Sequence, residues 1–534
     1  MLRSLGLFAL VVAAIALAWH GLGRPIPMPA SPLISGGKVT CISYAPFHGD
    51  QAPFTWNLVI PDRQIEGDLR RLRAVTPCVR TYSAKGPQGR VTRLAEAAGL
   101  EVLQGIWLGR NREDNRREIE AALQMARRHP DTVKALIVGS ETLLRGELPQ
   151  AEIRAYLEEV ARRSGLPVTY ADVWEFWLKA PELAEATDFV TIHILPYWED
   201  DPVRQEEAVA HVRQVRQRVA ATFPGKEIVI GEVGWPSRGR MREGALPSPV
   251  NQARFVSGVV QLAQEEGWKV NLVEAFDQPW KRLMEGTVGG YWGLYDGAAL
   301  EPKFRFGEAV SNHPDWRLKA GLGIGAAFLV FLAFWSASRV SPFESSWRRD
   351  AGCAAIALSA GLVFGLAAVN LPLEGETSED RLRAAGMVVL ALVVPLAAAF
   401  ALAKGSRLAG FAVALDPSRW RWSACIELVL AALLAATVVA AIHVALGLVF
   451  DPRYKDFPFA ALAPPVVALS VLAFANRKQA AAPGTAEMVA AVLLAGSALF
   501  VVINEGLANW QALTFAGLLL ALAFTCLKAE AVRE

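Results

Sequence analysis

The chain has 534 residues, which is too long for one typical domain. Its net charge is only +2, with 53% hydrophobic and 20% charged residues, and we expect no nucleic-acid partner. These averages conceal two unlike halves. Residues 38–316 are charged and rich in Trp, whereas residues 317–534 are dominated by long apolar runs.

The first predicted element is an apolar run over residues 5–19, preceded by Arg3. An Ala-Leu-Ala sequence at 16–18 has the small residues of a signal-peptidase site. We interpret residues 1–19 as either a cleaved signal peptide or an N-terminal membrane anchor, followed by a linker at 20–37. Either interpretation exports the segment that follows.

Residues 38–316 alternate apolar β-type runs with amphipathic helical stretches, which is typical of a parallel sheet. The eight candidate strands are Val39–Ala45, Cys78–Tyr82, Glu101–Trp107, Lys134–Ser140, Pro167–Ala171, Asp188–Ile194, Lys226–Gly231 and Val270–Phe276. Eight βα units in this length match the roughly 250 residues of a (β/α)8 barrel. We therefore predict an α/β fold, a (β/α)8 TIM barrel over 38–316, followed by an all-α transmembrane domain.

Two glutamates, Glu141 and Glu232, stand where predicted strands 4 and 7 give way to loops. Catalytic groups of such a barrel collect at the carboxyl ends of its strands. Two carboxyl groups facing each other are what glycoside cleavage requires, because one protonates the leaving oxygen while the other attacks the sugar carbon. A retaining mechanism places them about 5–5.5 Å apart, and an inverting mechanism places them at least about 6.5 Å apart.

The sequence around both glutamates resembles glycoside hydrolase family 17, the β-1,3-glucanases and β-1,3-glucanosyltransferases. Residues 231–237, GEVGWPS, resemble the nucleophile motif of this family, and residues 138–141, VGSE, resemble its acid/base segment. Further matching segments follow in the order of the family: ISYAP at 42–46, VRTY at 79–82, EAFDQPWK at 274–281 and YWGLYD at 291–296. The resemblance covers about residues 38–313 and implies the barrel fold independently.

This resemblance implies that Glu232 is the nucleophile and Glu141 the acid/base of a retaining mechanism. Two positions depart from the family pattern. Ser140 replaces an Asn whose amide contacts the 2-hydroxyl of the sugar, and a hydroxyl is shorter and offers one donor where the amide offers two. Gln278 replaces a Glu that many members carry. Neither departure removes a catalytic carboxyl group.

Several further side chains are candidates for contacts with a sugar, since pyranose C–H faces stack on aromatic rings. The substrate-binding candidates are Tyr44, Tyr82, Ser140, His193, Tyr197, Trp235, Asp277, Trp280, Lys281 and Trp292. Arg80, Asp277 and Lys281 are also expected to orient the carboxylates through charge-assisted hydrogen bonds. His193 is either a structural histidine or a direct sugar contact. No Cys/His spacing suggests zinc, and we expect neither a metal nor a cofactor.

Two cysteines, Cys41 and Cys78, begin the first two predicted strands, which are neighbours in a barrel. A disulfide between them is possible in an oxidising compartment. Pairing across parallel strands needs a tight fit, however, and the sequence leaves the pairing open.

The C-terminal half contains seven apolar runs near the roughly 17–25 residues that cross a bilayer. They lie at about 320–337, 352–370, 385–403, 423–449, 457–475, 486–503 and 508–527. The basic residues of alternate loops and of the tail are Arg339, Arg348, Arg349, Lys404, Arg407, Arg419, Arg421, Arg477, Lys478, Lys528 and Arg533. Because Lys and Arg stay on the cytoplasmic side, this pattern places the preceding domain outside. We expect a multi-pass protein of a bacterial inner membrane with its catalytic domain in the periplasm.

The predicted partners are a β-glucan oligosaccharide or polysaccharide and the lipid bilayer. A membrane glucan synthase is a further candidate, since one span would suffice for anchoring. Our first interpretation is a retaining enzyme that transfers or branches β-1,3-glucan through a covalent glycosyl-enzyme. An endo-β-1,3-glucanase is the alternative, and a non-catalytic glucan-binding accessory protein is a third.

Overall fold

The computed structural model describes residues 2–33, 37–340, 346–373, 377–411, 414, 425–475 and 483–529. The chain divides into two compact units. One comprises Ile26–Gly239 and Gly244–Val310, and the other comprises Met1–Pro25, Arg240–Glu243 and Ser311–Glu534.

The first unit is a closed barrel in which eight parallel strands pair in sequence order, and β8 pairs with β1. The strands are β1 Cys41–Ser43, β2 Cys78–Arg80, β3 Glu101–Ile106, β4 Val133–Ser140, β5 Val168–Val173, β6 Val190–His193, β7 Ile228–Val233 and β8 Val270–Leu272. All eight predicted strands are confirmed, although most are shorter than the apolar runs that predicted them.

A helix follows each of the eight strands, and these helices cover the outside of the barrel. The helices of the barrel are α2 Asp62–Val75, α3 Val91–Ala98, α4 Arg112–Arg128, α5 Gln150–Ser164, α6 Trp174–Lys179, α7 Gln205–Thr222, α8 Pro249–Glu266 and α9 Arg282–Gly289. The N-terminal helix α1, Leu2–Leu22, belongs to the other unit. Asn111 caps α4 through the amides of residues 113 and 114. Gly165 ends α5 in the left-handed conformation, as its position before a strand predicts.

Register shifts interrupt the ladder near the carboxyl ends of the strands that carry the two glutamates. The β4–β5 pairing shifts between Ile137 and Ser140, and the β7–β8 pairing shifts between Ile230 and Val233. Such irregularities turn side chains away from the regular alternation of a strand. They therefore change where the side chains at these strand ends point.

The opposite end of the barrel carries a disulfide. Cys41 and Cys78, the first residues of β1 and β2, are bonded with their Cα atoms 4.5 Å apart. This resolves the pairing that the sequence left open. The bond links the amino ends of two adjacent strands, away from the carboxyl ends where the glutamates lie.

The second unit is helical. After α1 it contains α10 Trp316–Arg339, α11 Trp347–Asn370, α12 Ser378–Lys404, α13 Cys425–Phe450, α14 Phe459–Ala475, α15 Thr485–Glu505 and α16 Trp510–Lys528. Seven helices among the described residues, α1 included, are long and apolar enough to cross a membrane by length and composition. The remaining apolar helix, α14, has 17 residues and contains Pro464 and Pro465. The predicted loop residues Arg419, Arg421, Arg477, Lys478 and Arg533 lie outside the described residues.

Close helix packing in this unit depends on small residues and a few buried polar groups. Gly323 on α10 meets Gly361 on α11 so closely that an added Cβ would lie 1.9 Å from a carbonyl oxygen. The indole of Trp19 on α1 is buried and donates to the carbonyl of Leu362. Within the same unit, Arg240 pairs with Glu505 at the end of α15.

Candidate active site

The two glutamates predicted from the sequence lie together at the carboxyl ends of β4 and β7. Glu141 is the first residue after β4, and Glu232 is the penultimate residue of β7. Their side chains are 26% and 11% exposed, so the pair opens to solvent mainly through Glu141. A carboxyl oxygen of Glu141 and a carboxyl oxygen of Glu232 lie within 4.8 Å of each other.

The backbone holds Glu141 in an unusual conformation. Its φ is 55°, the left-handed region that a residue other than glycine seldom adopts. Gly139, two residues earlier, has a φ of 87°, and the amide of Glu141 donates to the carbonyl of Ala171 on β5 at 2.8 Å. Such conformations cost about 1–3 kcal/mol and occur at functional sites. The local turn therefore directs this carboxyl group at the cost of backbone strain.

His193, the last residue of β6, bridges the two glutamates. Its Nδ1 lies 2.7 Å from Glu141 Oε1, and its Nε2 lies 3.7 Å from Glu232 Oε1. The imidazole has no exposed surface. This side chain therefore touches the carboxyl pair directly. Glu141, His193 and Glu232 carry oxygen and nitrogen atoms of the kinds that bind divalent cations. A guanidinium, however, already supplies positive charge at Glu232.

That guanidinium belongs to Arg80 at the end of β2, which reaches across the barrel. Its Nη1 donates to Glu232 Oε1 at 2.5 Å, and its Nη2 donates to Ser140 Oγ at 2.9 Å. Arg80 is 1% exposed, and both partners lie on other strands. The hydroxyl of Ser140 therefore accepts a hydrogen bond from the residue that orients Glu232.

Positive charge keeps Glu232 ionised despite its burial. Burial raises the pKa of Glu232, but the charges of His193, Arg80 and Lys281 and a hydrogen bond from Tyr82 outweigh this effect, so that the pKa lies below its ordinary value. Burial and the charge of Glu232 raise the pKa of Tyr82 far above its ordinary value. Tyr82 is therefore a neutral donor, and Glu232 is an ionised carboxylate.

A second layer of charge lies after β8. Lys281 Nζ is 2.8 Å from Glu274 Oε1, and Glu274 is 1% exposed. Burial lowers the pKa of Lys281, but Glu274 and other neighbours outweigh this effect and raise it above its ordinary value. Burial raises the pKa of Glu285 to about 7, with Glu274, Glu141 and Glu232 adding to the effect. The sequence did not single out Glu274 or Glu285 as site residues.

The aromatic candidates divide into buried and accessible side chains. Tyr44, Tyr197 and Trp235 have no exposed surface. The hydroxyl of Tyr44 donates to Asp68, and the indole of Trp235 donates to the carbonyl of Leu246.

Trp292 is 3% exposed and stacks on the half-buried Trp198, with centroids 6.5 Å apart and rings tilted by 18°. Trp280 is half-buried and keeps part of its ring exposed. Trp198 and Trp280 are thus the more accessible rings for a sugar.

Asp277 is buried in a different polar cluster. Its Oδ1 accepts from Lys303 Nζ at 2.5 Å and from the amide of Gly293 at 3.0 Å, and Lys303 also donates to Ser237. Burial raises the pKa of Asp277 to about 6, and Lys303 opposes the rise. These contacts connect the chain after β8 with the chain after β7. Among the contacts that the described residues make, none joins Asp277 to Glu141 or Glu232.

Sequence reasoning missed a further carboxyl group, Asp172 on β5. It accepts from the hydroxyl of Tyr170 and from the amides of Leu143 and Val173. Burial raises the pKa of Asp172 to about 6; the Tyr170 hydrogen bond opposes the rise, and the charge of Glu141 adds to it. Its position near the end of a predicted strand was the one signal that the sequence offered.

The fold and these side chains together define a class of enzyme. A parallel eight-stranded barrel with two carboxyl groups this close at the carboxyl ends of its strands is the arrangement of a glycosidase or transglycosidase.

Comparison with known proteins shows that the barrel is similar to glycoside hydrolases. Residues 41–293 match the family model described as the BtgE/BtgC glycoside hydrolase domain. The chain is 27% identical to a glucan 1,3-beta-glucosidase of Arthroderma benhamiae over 51% of this chain and 95% of that protein. It is 28% identical to a glucan 1,3-beta-glucosidase of Saccharomyces cerevisiae over 43% of this chain and 80% of that protein.

A solved structure of a Rhizomucor miehei glycoside hydrolase family 17 β-1,3-glucanosyltransferase is 22% identical and covers 49% of this chain and 98% of that chain, with a TM-score of 0.42. In sequence, the barrel is thus similar to the BtgE/BtgC glycoside hydrolase domain and to these glucan 1,3-beta-glucosidases.

Proposed function

We propose that the chain is a retaining transglycosidase that acts on β-1,3-glucan on the outer side of an inner membrane. The observation that carries this proposal is the Glu141–Glu232 pair, whose carboxyl oxygens lie within 4.8 Å. That separation suits direct attack on the sugar and is shorter than the roughly 6.5 Å that an inverting enzyme needs for an intervening water. The glucan substrate is supported by the 1,3-glucan activities that name the relatives of the barrel.

In the first step, a Glu232 oxygen attacks the anomeric carbon and forms a glycosyl ester. The bond from that carbon to the leaving oxygen breaks, and Glu141 gives its proton to this oxygen. Arg80 and His193 hold the attacking carboxylate through the contacts described above. Glu141 leaves this step as a carboxylate beside His193 Nδ1.

In the second step, Glu141 accepts a proton from the acceptor hydroxyl, which attacks the anomeric carbon and frees Glu232. Water as the acceptor gives hydrolysis, and a sugar hydroxyl gives a longer or branched glucan. Both outcomes share one covalent intermediate. We favour transfer, because a glucan-active enzyme fixed to a membrane by several helices is suited to remodelling a glucan as it emerges.

For the membrane location, the proposal rests on three features. Seven described helices have the length and composition of membrane spans. The basic residues of alternate C-terminal loops predict that the barrel is exported. The Cys41–Cys78 disulfide fits an oxidising compartment such as the periplasm. Docking of a membrane glucan synthase on the helices is the further role we propose for them.

The full chain, purified in detergent, tests the activity with linear β-1,3-gluco-oligosaccharides, and Glu232→Gln is the control. We expect longer or branched products, read by mass and linkage analysis, and none from the control. If only shorter products form, the enzyme is an endo-glucanase. If the wild type and the control give the same product mixture, the proposal is wrong.

The covalent intermediate has a test of its own. A 2-deoxy-2-fluoro-β-glucosyl fluoride forms the ester but releases it slowly, because the fluorine destabilises both oxocarbenium-like transition states. We expect peptide mass spectrometry to find the sugar on Glu232. A label on another residue, or an inverted anomeric product, would contradict the retaining mechanism.

A further inference from the structure

The connection between β1 and α2 exposes two large aromatic side chains. Phe54 is 63% exposed and Trp56 is 88% exposed. Exposed apolar residues scattered singly need no explanation, but here two large aromatic side chains are exposed only two sequence positions apart in one short connection. The connection contains no Lys or Arg between Phe47 and Pro61.

Polar contacts hold the base of this connection in place. His48 Nε2 lies 2.9 Å from Asp68 Oδ2 on α2, and the amide of His48 donates to Gln51 Oε1 at 2.9 Å. Gln64 Nε2 donates to the carbonyl of Pro46 at 2.8 Å and to Gln51 Oε1 at 2.8 Å. The two exposed rings therefore project from a connection whose base is attached to α2.

Contacts of Phe54 link this connection to the active site. Phe54 packs edge-to-face on Trp280, with centroids 5.4 Å apart. The indole of Trp280 donates to Gln278 Oε1 at 2.8 Å, and Gln278 donates in turn to the carbonyl of Phe47. The next residue, Lys281, is one of the cations that lower the pKa of Glu232. A row of side chains thus leads from the nucleophile through Lys281 and Trp280 to Phe54.

We propose that Phe54 and Trp56 form an outer subsite that binds a glucan chain extending past Trp280. This inference rests on the proposed function, because it takes a glucan as the substrate. The rings offer flat apolar faces for pyranose C–H groups, and the connection that carries them has no Lys or Arg of its own, which suits a neutral polysaccharide. A bilayer surface would instead be expected to attract Lys or Arg toward anionic headgroups.

The test measures binding rather than turnover. Glu232→Gln in the full chain, reconstituted in nanodiscs, is titrated with laminaritriose and with a long soluble β-1,3-glucan. The double change Phe54→Ser with Trp56→Ser is added to this background. Val59→Ser is the matched control, because Val59 is an aliphatic residue of the same connection and is 76% exposed.

We expect the double change to lower the ratio of long-glucan affinity to laminaritriose affinity by about fivefold or more, as the loss of two stacking contacts predicts. The control should leave the ratio within twofold of its starting value. An unchanged ratio would overturn the proposal, whether neither affinity falls or both fall by the same factor. An equal fall in both affinities would indicate a structural role for the connection.

Binding of the barrel to lipid is a separate outcome. If the double change left glucan binding intact but reduced adsorption of the nanodisc-embedded protein to added anionic vesicles, the surface would be a lipid contact and the proposal would be wrong. Failure of the proposed function has a different signature. The Glu232→Gln protein with Phe54 and Trp56 intact would then bind neither glucan. Failure of the subsite alone would leave both glucans bound, with the same affinity ratio in every variant.

Discussion

Arg80 on β2 donates a 2.5 Å hydrogen bond to Glu232 on β7, although 152 residues separate them in the sequence. The same guanidinium donates to Ser140 at the end of β4. One buried cation therefore connects the proposed nucleophile to the residue beside the proposed acid/base. The pair also explains how a carboxyl group that is 11% exposed stays ionised.

Replacing Arg80 with Met should change the pH dependence of the enzyme. In the proposed mechanism Glu232 must be ionised, and the Arg80 charge is one of the causes that lower its pKa. Without that charge the pKa rises, so the acidic limb of the kcat/KM profile should move to higher pH. We also expect kcat/KM at neutral pH to fall by about 10²-fold.

Steady-state kinetics from pH 4 to 8 check this, with Arg154→Met as the control, because Arg154 lies in surface ion pairs. Arg80→Lys should shift the limb less than Arg80→Met. An acidic limb at the same pH in all variants would show that Arg80 does not set the ionisation of Glu232.

Replacing Ser140 with Ala should destabilise the barrel. The change removes the acceptor of Arg80 Nη2 and leaves a buried charged donor unpaired, which costs about 1–3 kcal/mol. Ser140→Asn restores a side chain that can accept this bond, so it should be less destabilising. Thermal unfolding of the full chain measures both changes.

The exposed Thr222→Ala is the control for these substitutions, because it removes a hydroxyl that bonds only within α7. A Ser140→Ala protein as stable as that control would show that the Ser140–Arg80 contact contributes nothing. Kinetics of Ser140→Asn would then report on sugar binding alone.

Asp277→Asn should lower stability more than it changes substrate affinity. Asp277 accepts from Lys303, whose side chain is 10% exposed, and the change leaves this cation without its charged partner. Removing one member of a buried ion pair costs about 3–5 kcal/mol. Circular dichroism during denaturation measures the loss, with KM determined in parallel.

The control is Asp62→Asn, which alters two ion pairs at the surface, with Arg90 and Arg93. A rise in KM with unchanged unfolding would support the sequence-based expectation that Asp277 binds sugar. Loss of stability at constant KM supports the structural role that its buried contacts indicate.

Removal of the disulfide should destabilise the barrel without altering the site. The Cys41–Cys78 bond closes a loop of 37 residues, for which the chain-entropy relation gives about 3–4 kcal/mol. The double change to Ala should lower the unfolding temperature and leave kcat of the folded protein near its original value. Differential scanning calorimetry and kinetics together check this.

Cys425→Ala is the control, because Cys425 is an exposed free thiol. Intact-mass analysis after alkylation under denaturing, non-reducing conditions gives an independent reading. Alkylation of Cys41 and Cys78 in protein from an exporting host would contradict both the bond and the periplasmic location that it supports.

Local patterns in the sequence were sufficient for the architecture. Apolar β-type runs separated by amphipathic helical stretches predicted all eight strands, and the order of motifs predicted a glycoside hydrolase domain. The strand-end positions of Glu141 and Glu232 followed from the same patterns. Each of these features depends either on residues a few positions apart or on the order of motifs along the chain, and both can be read from the sequence.

Contacts across the barrel were decided by the tertiary structure. Closure of the sheet and its register shifts bring Arg80 to Glu232, place His193 between the glutamates, and bury Asp172 beside them. The same closure buries Tyr44, Tyr197 and Trp235, which the sequence could only rank as strand-end aromatics. Side-chain burial and contacts between distant strands depend on how the barrel closes. The local pattern of apolar residues therefore cannot predict them. The sequence by itself determined the elements and the two carboxyl groups, and the packing of the barrel determined what surrounds them.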